Sequence, residues 1–485
     1  MTSHITSISD RRERFGEALR GGIAVIPAAT ESLRNGDVHH SFRQASDFWF
    51  LTGFEEPDAL VLIDPSAPEE QYVLFVRPKD REQEIWNGRR EGVEGARERY
   101  GADAAYPIAD FEAEVTKRLI GRSVLYAPLG HSAITRRLTA MINKVRAVGT
   151  RFGRPVPVEL RDVAPLLGEL RLRKTDAEIT SLRQACTVSA LGHAEAMRYT
   201  DPGMFEYEVQ AALEYVFRTN GSMRNGYPSI VASGPNACIL HHTENDRRVE
   251  DGDLLLIDAA AEVGYFSSDI TRTFPVNGRF TEPQRAVYEV VLAAQTAALA
   301  ECRPDATMRA VHDVAVDVIA GGLVDLGLLP GPVGDVKAMH HYREYYMHGT
   351  GHWIGLDVHD AGAYGVDGRP RSLEPSMAFT VEPGLYVDPD REVVRLSKLV
   401  YDVEEWTERR MMLGTAAAKK LENEERDAAG WIEHPVPEAF RGIGVRIEDD
   451  VLIDATGHEN LTSGLPTDPV EIEALCAEPS ALPAP

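Results

Sequence analysis

LLLIDAAAEVGYFSSDITRTFPV, Leu254 to Val276, decides how the second half of this chain folds. Two apolar runs flank a glycine-containing centre, the pattern of a β-hairpin. Each run carries an aspartate where a core strand has little use for one: Asp258 ends LLLID and Asp269 opens DITRTFPV. Read as a strand, DITRTFPV puts Asp269, Thr271 and Thr273 on one face. A hairpin turning at Val263-Gly264 sets Asp258 opposite Asp269, with both side chains on one side of the sheet. Opposed carboxylates repel, so this pair calls for something positive between them.

Three other stretches carry the same kind of residue. MHGTGHWIGLDVHD, Met347 to Asp360, holds His348, His352 and His359 among glycines that argue against a continuous helix and for a loop bent closely around something. In FTVEPGLYV, Glu382 ends a short apolar strand just before Pro383-Gly384. In GIGVRIEDDVLI, Arg446 and Glu448 share one face of an alternating strand. Alone, each glutamate reads as a charged strand end. Together, Asp258, Asp269, His352, Glu382 and Glu448 make four carboxylates and one imidazole, a set that matches two divalent cations and is badly unstable without them. Oxygen-rich ligation with one histidine suits Mn²⁺, and also Co²⁺, Fe²⁺ or Zn²⁺. A metal pair of this kind lowers the pKa of a shared water and steadies a tetrahedral intermediate, which is the chemistry of hydrolysis.

The rest of the chain is consistent with a soluble enzyme. It has 485 residues, enough for two domains. Its 76 acidic against 51 basic residues give a net charge of −25, which disfavours binding to nucleic acid or to an anionic membrane surface. Four cysteines without a CxxC pair speak against a disulfide framework or a zinc ribbon, and for a reducing, cytoplasmic location. No apolar run approaches the length of a membrane span. Near the N-terminus, Asp10, Glu13 and Glu17 interrupt the basic charge and Pro27 breaks the apolar run, so a helix followed by a strand is expected rather than a signal peptide.

Residues 1–170 alternate apolar strands (GIAVIPA, ALVLID, YVLFVRP, SVLYAP) with helical stretches, an α/β pattern. A long amphipathic helix within Glu169–Tyr199, with Thr175 or Asp176 near its start, follows the boundary. The second domain, 171–475, reads as α+β. Its segment 391–434 is dense in charge and helix formers and reads as an exposed helical insertion. The tail EALCAEPSALPAP, with three prolines, is expected to fray.

The blocks LIDAAAEVGYFSSDITRTFPVNGRFT, ILHHTEN, MHGTGHWIGLDVHD, TVEPGLYV and GIGVRIEDD, in this order, resemble the pita-bread metallopeptidases, and aminopeptidase P above all. SFRQASDFWFLTGFEEPDALVLI and EIWNGRR are similar to that family's first domain, so the resemblance spans nearly the whole chain. It implies a C-terminal pita-bread (creatinase/aminopeptidase) fold behind an α/β N-terminal domain. It also implies hydrolysis of N-terminal Xaa-Pro bonds through a hydroxide bridging two metal ions. Asp258 and Asp269 would chelate one metal. Asp269, His352, Glu382 and Glu448 would complete the pair, with Asp269 and Glu448 bridging and Glu382 also acting as general base. His241 would bind substrate, His359 would stabilise the tetrahedral intermediate, and His348 would assist proton transfer. Arg446, Tyr386 and Asp258 resemble a supporting relay, with Arg446 implied among the catalytic residues and Tyr386, like His359, among those that bind substrate. Trp86 matches a tryptophan that reaches a neighbouring subunit's site, and Arg369 one that meets the far end of the substrate; a homo-oligomer, dimer or tetramer, is the implied assembly.

Two features depart from the pattern. His242 stands where tyrosine is more usual. Glu382 and Glu448 lie further apart than in compact bacterial relatives, a lengthening that prolidases of the animal type share. Prolidase, restricted to Xaa-Pro dipeptides, is therefore the alternative; a non-catalytic pita-bread binding module is a remote one. Proline selectivity itself has a physical basis. The Xaa-Pro bond has no N–H, and its ring restricts the chain, so an apolar, histidine-lined pocket that selects by shape suits it.

Overall fold

The computed structural model describes residues 2–483. The chain forms two compact units, residues 1–171 with 361–363, and residues 172–360 with 364–485.

In the first unit, a six-stranded sheet runs Ala104–Pro107, Tyr72–Val76, Leu60–Ile63, Ile23–Pro27, Val124–Ala127 and Glu159–Asp162 in spatial order. Leu60–Ile63 lies antiparallel to both its neighbours, and the other pairings are parallel. All five residues of Tyr72–Val76 are buried, which is why the strand reads as an unbroken apolar run. Helices Phe111–Arg118 and Ser132–Phe152 pack Phe111, Val115, Leu138 and Met141 into one core with Val25, Leu62 and Phe75. Each such side chain contributes roughly 1.5–3 kcal/mol on burial. The N-terminal segment is a helix, Thr2–Ala18, followed by the strand Ile23–Pro27.

The second unit opens with the helix Asp176–Tyr199. Thr175 caps it reciprocally with Glu178, an arrangement worth about 1 kcal/mol over alanine. Two antiparallel sheets carry the site. One has the order Ile230–Ser233, Leu254–Asp258, Thr271–Pro275; the other Ala378–Val381, Asp449–Ile453, His458–Asn460. A two-stranded ribbon, Gly384–Tyr386 with Gly444–Arg446, and a bridge from Thr271 to Glu448 tie them together. Helices Glu282–Glu301 and Met308–Asp325 pack into the same apolar core. Arg272, fully buried on the strand face away from Thr271, donates to Asp449 Oδ1 at 2.7 Å and to the Glu448 carbonyl at 2.7 Å, clamping one sheet to the other.

The hairpin forms with a shifted turn. Gly264 (φ 57°) and Tyr265 (φ 70°) are its central residues, both left-handed as a two-residue hairpin of this hand requires. The register moves accordingly: Asp258 pairs with Thr271, not with Asp269. Asp269 sits in the break between Phe266–Ser267 and Thr271–Pro275, so the stretch from Asp269 is not a continuous strand. Likewise Glu448 lies between Gly444–Arg446 and Asp449–Ile453 rather than within one strand. Both ligand-type carboxylates therefore project from strand interruptions, where the backbone is free to turn them inward.

The charged segment is not purely helical. Helices Val403–Leu413 and Thr415–Ala429 stand on an antiparallel ribbon, Val393–Ser397 with Trp431–Pro435. The C-terminal tail does not fray as expected within the described residues. Pro469–Cys476 is a helix, and Glu195 Oε1 accepts from Ser480 Oγ and from Ala481 N, each at 2.7 Å; residues 484 and 485 lie outside the described residues. Among the described residues no helix is long and apolar enough to cross a membrane.

Candidate active site

Asp258, Asp269, His348, His352, His359, His241, Glu382, Arg446 and Glu448 all line one cavity of about 560 Å³ in the second unit. One ligand atom each from Asp269, His352 and Glu448 fall within 4.8 Å of one another. His352 Nε2 stands 3.3 Å from Asp269 Oδ2 and 3.6 Å from Glu382 Oε1.

The backbone holds these groups by close approach. His352 N donates to Thr380 Oγ1 at 3.1 Å, and Thr380 N returns to His352 O at 2.9 Å. A Cβ on Gly351 would lie 1.9 Å from the Thr380 carbonyl oxygen, so only glycine lets the histidine loop reach this strand. Thr350 carries a second tie: its carbonyl accepts from Glu382 N at 2.8 Å, while its hydroxyl lies 2.8 Å from His312 Nδ1 and 2.6 Å from Tyr346 OH. Neither His312 nor Tyr346 was foreseen from sequence; each sits in an ordinary helical or aromatic stretch.

Arg446 organises the wall behind Asp258. Its guanidinium donates to Asp258 Oδ2 at 2.6 Å, to Tyr386 OH at 2.9 Å and to Thr271 Oγ1 at 3.0 Å, and Thr271 Oγ1 in turn donates to Glu448 Oε2 at 2.6 Å. His348 extends the relay. Its Nδ1 lies 2.7 Å from the Gly349 carbonyl, which can only accept, so Nδ1 carries the proton and Nε2 accepts from Tyr386 OH at 2.9 Å. Burial, with Arg446 nearby, pushes the His348 imidazole down to about 3, so it is neutral. Tyr386 is 2% exposed and stands behind the cavity rather than on its surface.

The donor set fits divalent cations. Burial pushes the Asp258, Glu382 and Glu448 carboxyls up, Glu382 to about 7; neighbouring carboxylates add to this, while Arg446, and at Glu382 first His352, oppose it. Burial alone would lower the His352 imidazole, but its contact with Asp269 raises it to about 9. Crowded acids answered, among the described residues of the cavity, by Arg446 and His352 are relieved by bound cations. Tyr227, missed in the sequence, places its hydroxyl 2.5 Å from Asp258 Oδ1 and also against Asp269 Oδ1. One hydroxyl proton serves one of them at a time. Nothing in NGYPS singles this tyrosine out.

Other expected residues lie elsewhere. His242 is buried and bonded to Glu206 Oε2 at 2.9 Å, so it serves the scaffold while its neighbour His241 faces the cavity. Arg369 sits on an exposed two-stranded ribbon, Gly365–Val366 with Arg369–Pro370, and does not line this cavity. Trp86 is 81% exposed on the helix Arg81–Asn87 of the first unit. The apolar part of the cavity wall, illegible in the sequence, is Pro228, Ile230, Leu240 and Val358.

Comparison with known proteins converges on one family. Residues 180–455 match the profile of metallopeptidase family M24, and residues 8–126 match that of the aminopeptidase P N-terminal domain. The Xaa-Pro aminopeptidase of Escherichia coli (strain K12) is 40% identical over 468 residues, covering 96% of each chain. That of Haemophilus influenzae is 39% identical over the same share. Among solved structures, an aminopeptidase of Pseudomonas aeruginosa superposes with a TM-score of 0.86 at 42% identity, covering 98% of each chain. Zinc-substituted aminopeptidase P of Escherichia coli, in complex with product, gives 0.85 at 38% identity, covering 97% of this chain and 98% of that one. The α+β architecture, a pita-bread fold with its N-terminal companion domain, is thus that of these enzymes, and the chain is a member of metallopeptidase family M24.

Proposed function

We propose that this protein is a metal-dependent aminopeptidase that releases the N-terminal residue from peptides whose second residue is proline. The observation that carries the reading is the convergence of four carboxylates and His352 in a cavity that also holds His241, His348, His359 and an apolar wall. Asp258, Asp269, His352, Glu382 and Glu448 would hold two divalent cations, with Mn²⁺ the best match to this ligand set and Co²⁺, Fe²⁺ or Zn²⁺ also compatible. Such a pair supplies Lewis acidity and a water acidic enough to attack at neutral pH.

The chain's own groups do the rest. Glu382, raised to about 7, is suited to take a proton from the attacking water and pass it on. His359, whose ring lies 4.3 Å from that of His352, and His241 face the space where the tetrahedral oxygen develops. Pro228, Ile230, Leu240 and Val358 offer a wall for the pyrrolidine ring, which asks for no hydrogen bond from its nitrogen. The relay from Asp258 through Arg446 and Tyr386 fixes His348. Tyr386→Phe is expected to lower kcat/KM by about 10–100-fold with metal content unchanged, the cost of losing an orienting partner. Steady-state kinetics with metal analysis checks it; an unchanged rate would remove Tyr386 from the relay.

The four cysteines are free, which suits a reducing compartment and supports a cytoplasmic location. Adjacent Ile85 and Trp86, 74% and 81% exposed on one short helix, support assembly into a homo-oligomer. The deciding experiment is hydrolysis of an Xaa-Pro dipeptide and an Xaa-Pro-Yaa tripeptide by metal-stripped protein with Mn²⁺ added back. Release of Xaa from the tripeptide is expected. Cleavage of the dipeptide alone would make the enzyme a prolidase, and cleavage of neither with any divalent metal would end the catalytic reading.

A further inference from the structure

The charged segment between the two glutamates builds a second cavity, of about 490 Å³, with no part in the peptidase site. Its walls are two helical faces. Val403, Trp406, Thr407 and Arg410 line it from one helix, and Thr415, Lys419, Glu422, Asn423 and Arg426 from the next, spacings that keep each set on one face. Arg343, on the short helical turn His341–Glu344, closes the third side.

Four cations meet there in a chain of net charge −25. Among the described lining residues, only one carboxylate answers them. Glu422, 8% exposed, accepts from Arg426 at 2.9 Å and stands 3.7 Å from Arg410. Among the described residues, no carboxylate lies within ion-pair distance of Arg343 or Lys419; the Arg343 guanidinium bonds the Tyr342 hydroxyl and reaches the Met347 carbonyl at 3.4 Å, both neutral acceptors. The helix Thr415–Ala429 begins at Gly414 without a side-chain cap, so its positive end adds to the same field. His340 packs against Tyr401, a wall residue, with ring centroids 4.7 Å apart. Its imidazole is held down to about 4, first by burial and then by Arg343 and Arg426. Trp406 is only 3% exposed and stacked on Tyr401, so the cleft offers no open ring face for a nucleobase. What it offers is guanidinium and ammonium donors lining one cleft beside Thr407, Thr415 and Asn423, the chemistry that takes a tetrahedral oxyanion.

We propose that this cleft is a binding site for a multiply charged oxyanion, inorganic phosphate or the phosphate group of a small monoester. It is held by Arg343, Arg410, Lys419 and Arg426. The site stands independently of the peptidase reading. Arg343 also bonds the carbonyl of Met347, the residue before His348 in the chain.

The test is calorimetric titration of the full-length, Mn²⁺-loaded protein with inorganic phosphate, and separately with glycerol 3-phosphate, at constant ionic strength. Saturable binding of one anion per chain is expected, with sulfate competing and chloride not. The double variant Arg343→Gln/Lys419→Gln, both positions exposed, should bind at least about tenfold more weakly, as loss of charge-assisted contacts requires. Lys419→Glu alone should weaken binding in the same direction, which keeps the test open should the double variant fold poorly. Whichever anion binds more tightly identifies the source of the phosphate. The proposal is overturned if both variants bind like the parent, if chloride competes equally, or if Asp269→Asn abolishes binding, since that would place the anion on the metal centre.

Discussion

Asp269→Asn is expected to leave the fold intact and to reduce Xaa-Pro-Yaa hydrolysis by roughly a thousandfold or more, since the polarising and positioning work of a metal pair amounts to several kcal/mol. The substitution is nearly isosteric, and the backbone N–H of residue 269 keeps its 2.9 Å bond to Asp450 Oδ2. What changes is charge and ligation. Asp269 is the one carboxylate that touches both sides of the constellation: Oδ1 meets the Tyr227 hydroxyl shared with Asp258, and Oδ2 lies 3.3 Å from His352 Nε2. An amide can offer one neutral oxygen there, so metal binding should weaken most at the position shared between the two halves. Metal content per chain, measured after equilibration with Mn²⁺ and read beside kcat/KM and the melting temperature, separates lost ligation from lost fold. A variant with two tightly held metals and full activity would sink the assignment of Asp269, and with it the dinuclear reading.

The chemistry of this site was written in residue types, and its geometry was not. Asp258 and Asp269 stood out because apolar strands rarely end in carboxylates, and the histidine loop because glycines separate its imidazoles. The exact register escaped because Tyr265 adopts a left-handed backbone, a conformation a side-chain-bearing residue rarely takes, so the turn was placed one residue early. Thr271, not Asp269, therefore faces Asp258 across the ladder. Tyr227, His312 and Tyr346 were invisible for a different reason. Tyr227 and His312 act through hydrogen bonds made across 31 to 42 residues of sequence, and Tyr346 through a non-helical contact with Thr350, none of which a local periodicity encodes. Arg272 shows the limit best: a fully buried arginine inside a strand reads as an exposed cation until Asp449 and the Glu448 carbonyl are seen around it. The helical pair of the charged segment was legible from its helix formers, whereas the ribbon beneath it was masked by the same charge density.

Metal removal should invert the protein's response to pH. In the metal-free chain, burial and mutual repulsion raise the Asp258, Glu382 and Glu448 carboxyls, Glu382 from its ordinary 4.5 to about 7. A raised carboxyl binds its proton more tightly in the folded state than in the unfolded one. The stability it lends is therefore present below the unfolded value and is lost as pH rises through the folded value. For Glu382 that window runs from about 4.5 to about 7, and the shift corresponds to an effect on the order of 3 kcal/mol. With divalent cations bound the sign reverses, because ligation needs the carboxylates deprotonated and the imidazole of His352 neutral. Stability then gains with pH by mass action. The melting temperature of chelator-treated protein should thus fall between pH 5 and 8 while that of the Mn²⁺-loaded protein holds or rises, so the gap between them widens steadily. Glu382→Gln should flatten the decline in the metal-free form, because an amide there has no proton to lose. Parallel pH profiles with and without metal would mean that these carboxylates do not share a cation, and that the crowding around Asp269 is relieved by some other means.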